Sequence, residues 1–569
     1  MKNLDKILFF SSLISLISCA KQSAPTGGPR DEDPPQLLLM NPENQSLNTK
    51  PEQIILEFDE YIKLDNPNKN ILITPRINKD ELVVEALKNE VTLELNQELE
   101  ENTTYVFNFQ KSIQDLSEGN PAENLKLVFS TGDQIDSLSL SGNVNNYYPE
   151  GQPDFDDILI GLYPIGDTTD LFTGPPYYIT QTDSLGNYTI NNIKKGDYRA
   201  FAWRDENNTL KAEFKSEEYD FITDTLSIVE NLTDLRFNLS ASDITDFNLQ
   251  RSSFTNGSYD LIFNKNPLEI ELDHQEIGKS LFYTTEDKEI KIFSTESRSD
   301  SIAINLQLAD SVGFKIDSSI WAKFPEMERQ PEELTFSANS GKSFLNTLEA
   351  EIKFNKPITE INYDSLYIPI DSALIIQIKP EMVSFKDSLR RNTILFKIPI
   401  PDTLELQIYP LTLADSTFQD IQDQYNLEGL VANYRKIDPQ TLGDEISGEI
   451  NSQNGPFILR LMDSKEELYR EIYLQDNTEF SFDKIEAGTY TIQVIEDKNG
   501  NRRWDPSNYY ENKPAEKVYY YQNLENQSNE IIIKSGWTTE DLIIEPTKST
   551  GFPEKIAVDN SEIEVDNQE

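Results

Sequence analysis

Short runs in which apolar and polar residues alternate recur along this chain, and they restrict its fold class more than any other feature. Residues 52–62 read EQIILEFDEYI, with Ile54, Leu56 and Phe58 on one side and charged or polar neighbours on the other. NEVTLEL, NTTYVFNFQ and LKLVFSTGD repeat the pattern, the last two through Tyr105, Phe107 and Phe109 and through Leu125, Leu127 and Phe129. A period of two places one apolar face on each run, which is the pattern of a half-buried β-strand. Pro, Gly and Asn separate the runs at turn spacing. No long window carries helical periodicity, so the chain is expected to be all-β, a tandem array of small β-sandwich domains. The one cysteine, Cys19, leaves no pair for a disulfide, so each module must hold by its core alone.

The runs group into modules. Pro34–Pro35 opens the first, expected over 34–137. Its pattern resembles the bacterial Ig-like domains of S-layer-type proteins. A second begins at LSLSGNV and spans 138–245. Its clearest piece, DSLGNYTINNIKKGDYRAFAWRDENN, places Gly186, Tyr188, Ile190, Ile193, Gly196 and Tyr198 on the pattern of the transthyretin-like, or carboxypeptidase-regulatory-like, β-sandwich. That resemblance implies an appendage without catalytic residues.

Both patterns return. TEFSFDKIEAGTYTIQVIEDKNGN repeats the second module's phrase. Phe480 falls on Tyr188, Ile485 on Ile193, Gly488 on Gly196, Tyr490 on Tyr198 and Asp497 on Asp205, each at 488 − 196 = 292. An unbroken offset of this kind marks an internal repeat. LEAEIKFNKPI likewise repeats the first module's strand, with Phe354 on Phe58 at 354 − 58 = 296. A second Ig-like module is thus expected over 331–440 and a second transthyretin-like module over 441–546. The stretch 246–330, with YDLIFNK and KEIKIFST, matches neither and is expected to be a divergent β-sandwich. The acidic tail 547–569 is expected to be disordered.

The N-terminus carries a different signal. Lys2 and Lys6 precede the apolar run Ile7 to Ser18, which has signal-peptide length and is too short to span a bilayer. It ends LISC at Cys19, which resembles a bacterial lipobox. The resemblance implies removal of 1–18 and acylation of Cys19, with palmitate among the expected chains. Residues 19–33, polar and rich in Gly and Pro, read as a flexible tether. Ala20 rather than Asp follows the cysteine. By analogy with Gram-negative lipoproteins this favours the outer membrane over inner-membrane retention. The whole arrangement resembles a Bacteroidota-type outer-membrane lipoprotein, with surface exposure slightly favoured over the periplasm.

Composition narrows the function. Fifty Lys and Arg against 99 Asp and Glu leave a net charge of −49, which excludes the basic footprint that nucleic acid requires. Catalysis is not expected. The one histidine, His274, lies in the polar turn LDHQEIG, and no His/Cys cluster or phosphate-binding glycine motif is present. The candidate metal site is the loop EDKNGNRRWDP. Asp497, Asn499, Asn501 and Asp505 supply oxygens at positions one, three, five and nine, and the Arg503 carbonyl would stand at seven, a spacing suited to calcium. The loop resembles DxNxNGxxD calcium loops. It departs from them at Arg502, where Gly is expected, and at Asn508, where an EF-hand has Glu. The earlier copy has Asp205, Asn207, Thr209 and Glu213. The competing reading is an Asx-rich turn that needs no metal.

The expectation is a non-enzymatic, lipid-anchored scaffold that binds outer-membrane or cell-surface proteins, as an accessory subunit of an assembly or transport complex. The alternative is surface glycan binding or adhesion, through exposed aromatics among Thr173–Tyr178, Tyr509, Tyr510, Tyr519, Tyr520 and Tyr521.

Overall fold

A computed structural model describes residues 32–148, 154–155, 157–326, 330–401, 403–452, 454–523, 525–526 and 528–546. The signal segment, Cys19, most of the tether and the tail 547–569 lie outside them. The described residues are almost entirely strands joined by short turns, and no helix among them is long and apolar enough to cross a membrane. The chain forms two compact units. One contains the described residues up to Ser139 together with Tyr177–Ile179 and Ile190–Lys195; the other contains the rest from Leu140.

The first module is an antiparallel sheet in the order Leu37–Asn41, Gln53–Phe58, Glu90–Leu95, Leu82–Leu87, covered by a three-stranded sheet, Leu72–Thr74, Thr104–Asn108, Lys126–Ser130. The alternating residues point inward as their period requires. Ile54, Leu56, Phe58, Val91, Leu93, Phe107, Leu127 and Phe129 are fully buried.

The same four-strand order recurs twice. In residues 334–436 it is Phe336–Ala338, Thr347–Phe354, Thr393–Pro399, Val383–Phe385. In the stretch that matched neither repeat by sequence it is Leu249–Thr255, Ser258–Phe263, Glu289–Ser294, Leu281–Glu286. One bond marks the shared register. The N–H of Phe58, Phe263 and Phe354, the last residue of the second strand each time, donates to Asn89, Lys288 and Asn392 at 2.8 Å. The middle stretch is thus a third copy of this sheet, with its own core of Leu261, Phe263, Ile290, Ile292, Ile304 and Leu306.

Counting 246–330 as the third module and 331–440 as the fourth, the second module and the fifth, 441–546, share another topology. In each, a long antiparallel pair forms the heart: Ile158–Pro164 with Gly196–Arg204, and Phe457–Asp463 with Gly488–Glu496. In each, the first strand lies parallel to the last: Leu138–Asn146 beside Leu232–Ala241, and Leu442–Ile450 beside Thr538–Ile544. Both parallel pairs slip register at a glycine. A Cβ on Gly142 would stand 1.8 Å from the Leu235 carbonyl oxygen, and one on Gly448 would stand 2.1 Å from that of Leu542. Glycine is required there because backbone approaches backbone too closely for any side chain.

Candidate functional site

The repeated loop after the long strand pair carries a cluster of buried polar groups. In the earlier copy Asp205 is buried and accepts from the N–H of Thr209 and Leu210 at 2.9 and 3.0 Å. Glu217, also buried, accepts from Glu206 and Glu213 N–H groups at 3.1 and 2.9 Å. The later copy reproduces this. Asp497, fully buried, accepts from Asn501 and Arg502 N–H at 3.0 and 2.8 Å, and Glu516 from Lys498 and Asp505 N–H at 2.8 and 3.0 Å. Each copy thus uses two acids to satisfy the loop's backbone donors, which would otherwise be buried without partners.

Of the positions predicted to surround calcium, Asn499, Asn501 and the Arg503 side chain meet Asp505, while Asp497 accepts from Asn501 N–H. Asn499 and Asn501 turn their amide nitrogens toward Asp505; the Asn501 contact is 3.0 Å. Their amide oxygens are held the other way, accepting from Asn501 N–H and Arg503 N–H at 3.0 Å each. Arg503 presents its guanidinium, Nε to Asp505 at 3.0 Å, and Lys513 stands 3.5 Å from the same carboxylate. Among the described residues no group of three or more His, Cys, Asp or Glu is arranged to hold a metal ion.

The electrostatics divide the acids. Burial pushes Asp505 up, but Asn501, Arg503 and Lys513 together hold it below the usual carboxylate value. Glu516 is pushed up to about 7, first by burial and then by the charges of Asp505 and Asp497, against its backbone donors.

The copies differ in length. Glu213 to Glu217 spans 217 − 213 = 4 positions, whereas Asp505 to Glu516 spans 516 − 505 = 11, seven more. The added residues form a plug. The Ser507 carbonyl accepts from Tyr219 Oη at 3.3 Å and from the Ser242 hydroxyl. The Tyr509 ring lies 5.5 to 5.7 Å from those of Phe172, Phe221 and Phe201, and its hydroxyl donates to Asp170 at 3.3 Å. Asn508 donates to the Val312 carbonyl, and Arg503 pairs with Glu269 at 3.1 Å. Trp504 meets Tyr148 edge-on at 4.9 Å, while Tyr147, Ile458, Ile495, Ala515 and Val518 share a buried cluster. The fifth module's loop therefore joins the second and third modules.

The other candidates are placed as follows. Tyr519 and Tyr521 are buried, Tyr509 is half-buried in the plug, and Tyr510 is exposed beside Phe214. His274 caps a turn, its Nδ1 accepting from Glu276 N–H at 3.2 Å. Sequence reasoning missed two buried ion pairs. Lys356 meets Asp420 at 2.8 Å, and Lys265 pairs with Asp310; all four side chains are at most 8% exposed. The shared phrase Phe-Asn-Lys, at 263–265 and 354–356, was their signal. A cleft of about 110 Å³ near Lys356, lined by Thr255, Ser258, Asp260, Thr284 and Lys291, is well below the several hundred Å³ typical of organic-ligand sites.

A model of the bacterial Ig-like domain matches residues 31–131, and one described as polysaccharide lyase family 4, domain II, matches residues 161–212. No curated protein matches. Among solved structures, the major pilin subunit BcpA of Bacillus cereus is similar at 11% identity, over 72% of this chain and 99% of that one, with TM-score 0.13. The TIE protein of Bacillus anthracis is similar at 9%, over 94% and 78%, with TM-score 0.12. The Bacteroides ovatus mixed-linkage glucan utilisation protein SGBP-B is similar at 10%, over 62% and 89%, with TM-score 0.16. Likenesses at these scores carry no argument about this chain.

Proposed function

We propose that the chain is a non-enzymatic, lipid-anchored scaffold of β-sandwich modules that binds other proteins at a bacterial outer membrane, as an accessory subunit of an assembly or transport complex. The observation that carries this reading is the plug. Ser507 to Tyr510 commit the fifth module's loop to the second and third modules, which supports a stiffening role for that loop. A stiff unit offers sheet edges and turns in fixed positions, which suits protein recognition. The Ig-like match at 31–131 and the lipobox ending at Cys19 support a place at the cell envelope. The test is a mild-detergent pull-down of the tagged, lipidated chain with and without crosslinking. Reproducible co-purification of one or a few envelope proteins is expected; recovery of bait alone under both conditions counts against the reading.

One observation favours glycan binding as second reading: Tyr510 leaves 60% of its surface open beside Phe214, a residue just beyond the polysaccharide-lyase-domain match. A glycan array in which wild type and Tyr510→Ala behave alike would remove it.

A further inference from the structure

We propose that one end of the first module is a lipid-facing surface, resting on the bilayer to which the chain is anchored; this builds on the anchored reading above. The end is defined by a chain of hydrogen bonds. Gln36 and Asp59 exchange two, Asp59 N–H to the Gln36 carbonyl at 3.1 Å and Gln36 N–H to Asp59 Oδ1 at 2.8 Å. Ile62 N–H donates to Lys88, and Leu116 N–H to Tyr61, both at 2.8 Å. Asn120 reaches the Asp33 carbonyl at 3.5 Å. The chain's entry and three turns therefore meet at one pole.

Each contributes an apolar side chain that the core does not use. Leu38 is 67% exposed, Tyr61 58%, Leu87 74% and Leu116 55%. Isolated exposed apolar residues are ordinary, but here Tyr61 and Leu116 sit in turns, where Gly, Asn, Asp and Ser are favoured, and Leu38 and Leu87 lie exposed at the strand ends of the same pole. The same turns carry Asp59, Glu60 and Glu118 together with Lys63, Lys88 and Lys111. With Glu32 and Asp33 at the entry the pole keeps a small acidic excess, which disfavours anionic lipid and leaves a zwitterionic surface as the one it can rest on.

The tether selects lipid over other occupants. From Cys19 to Asp33 is 33 − 19 = 14 residues. A chain of that length reaches at most about 50 Å. It enters at Gln36, next to Leu38, so the apolar pole is the part of the module held nearest the acyl chains. Anchoring keeps the local lipid concentration high, so even modest apolar contact is populated.

The test uses the lipidated full chain in vesicles of phosphatidylethanolamine and phosphatidylcholine. Leu87→Cys and Leu116→Cys are each labelled with an environment-sensitive fluorophore, the Cys19 thiol being consumed by lipid. Leu47→Cys is the control. It is exposed at the opposite end, where Gln45 N–H donates to Val128 and Asn48 N–H to Gly132. The expected result is a blue shift, and quenching by brominated acyl chains, at 87 and 116 but not at 47. Co-flotation without quenching at 87 or 116 overturns the proposal while leaving the anchor intact. Failure to co-float overturns the anchor and the proposal with it. Shielding of 87 and 116 on cells, without quenching by brominated lipid, means that a protein covers the pole and also overturns it.

Discussion

A lysine ammonium taken out of water needs a counter-charge close by, and Lys356 and Lys265 each find a buried aspartate. Those aspartates are doubly used. Asp420 also accepts from Gln422 and Gln424 N–H, and Asp310 from Val312, Gly313 and Phe314 N–H. In the first module Asp115 holds the same kind of turn through Glu118, Gly119 and Asn120 N–H, and the aligned lysine position is Glu60. Lys356→Met would leave the Asp420 charge buried without its partner, at a cost of about 3–5 kcal/mol. Urea unfolding measures it; a loss below about 1 kcal/mol would show that the pair contributes little. Glu516 sets a pH dependence. Its folded value of about 7 lies above its ordinary 4.5, so the native state holds a proton that the unfolded chain has released. Stability therefore falls as pH rises from about 4.5 through 7 and levels off above that. Buried Asp220, also raised to about 7, adds in the same direction. Glu516→Gln should flatten the slope of melting temperature between pH 5 and 8. The slope is the readout, because Gln cannot accept both backbone bonds; an unchanged slope would remove Glu516 as its source.

At the scale of elements, the parallel closing strands depend on their glycines. Gly142→Ala or Gly448→Ala drives a methyl into a neighbouring carbonyl, and each should cost about 1–3 kcal/mol, seen as a drop in melting temperature. Wild-type stability in both variants would mean that the register slips freely. The loop 497–516 is an element held by its own N–H donors, so the full chain is expected to melt at the same temperature with calcium and with chelator. A calcium-dependent rise abolished by Asp497→Ala would instead support the cation reading. The spacing of Asp497, Asn499, Asn501 and Asp505 was legible in the sequence. The direction in which each amide points was not, because Asx turns and cation loops use the same residues at the same spacing.

At the largest scale, the plug ties the second, third and fifth modules together within one of the two units. Tyr509 and Trp504 supply its aromatic contacts, and their joint replacement by Ala removes ring packing on Phe172, Phe201, Phe221 and Tyr148. Calorimetry of the full wild-type chain should show the second and fifth modules melting together, and the double variant should split that transition. An unsplit transition would place the coupling elsewhere.

Alternation and offset determined, from sequence alone, the all-β class, the modular build and the repeat of the long strand pair, because strand faces and turn residues are local properties with a fixed period. Only tertiary structure decided the rest. The stretch 246–330 proved a third copy of the four-strand sheet because topology tolerates substitution of almost every side chain so long as the inward face stays apolar. The seven added residues became a plug because Phe172, Phe201, Phe221 and Tyr219, hundreds of positions away, surround them, and no local pattern encodes which distant surface an aromatic turn will meet.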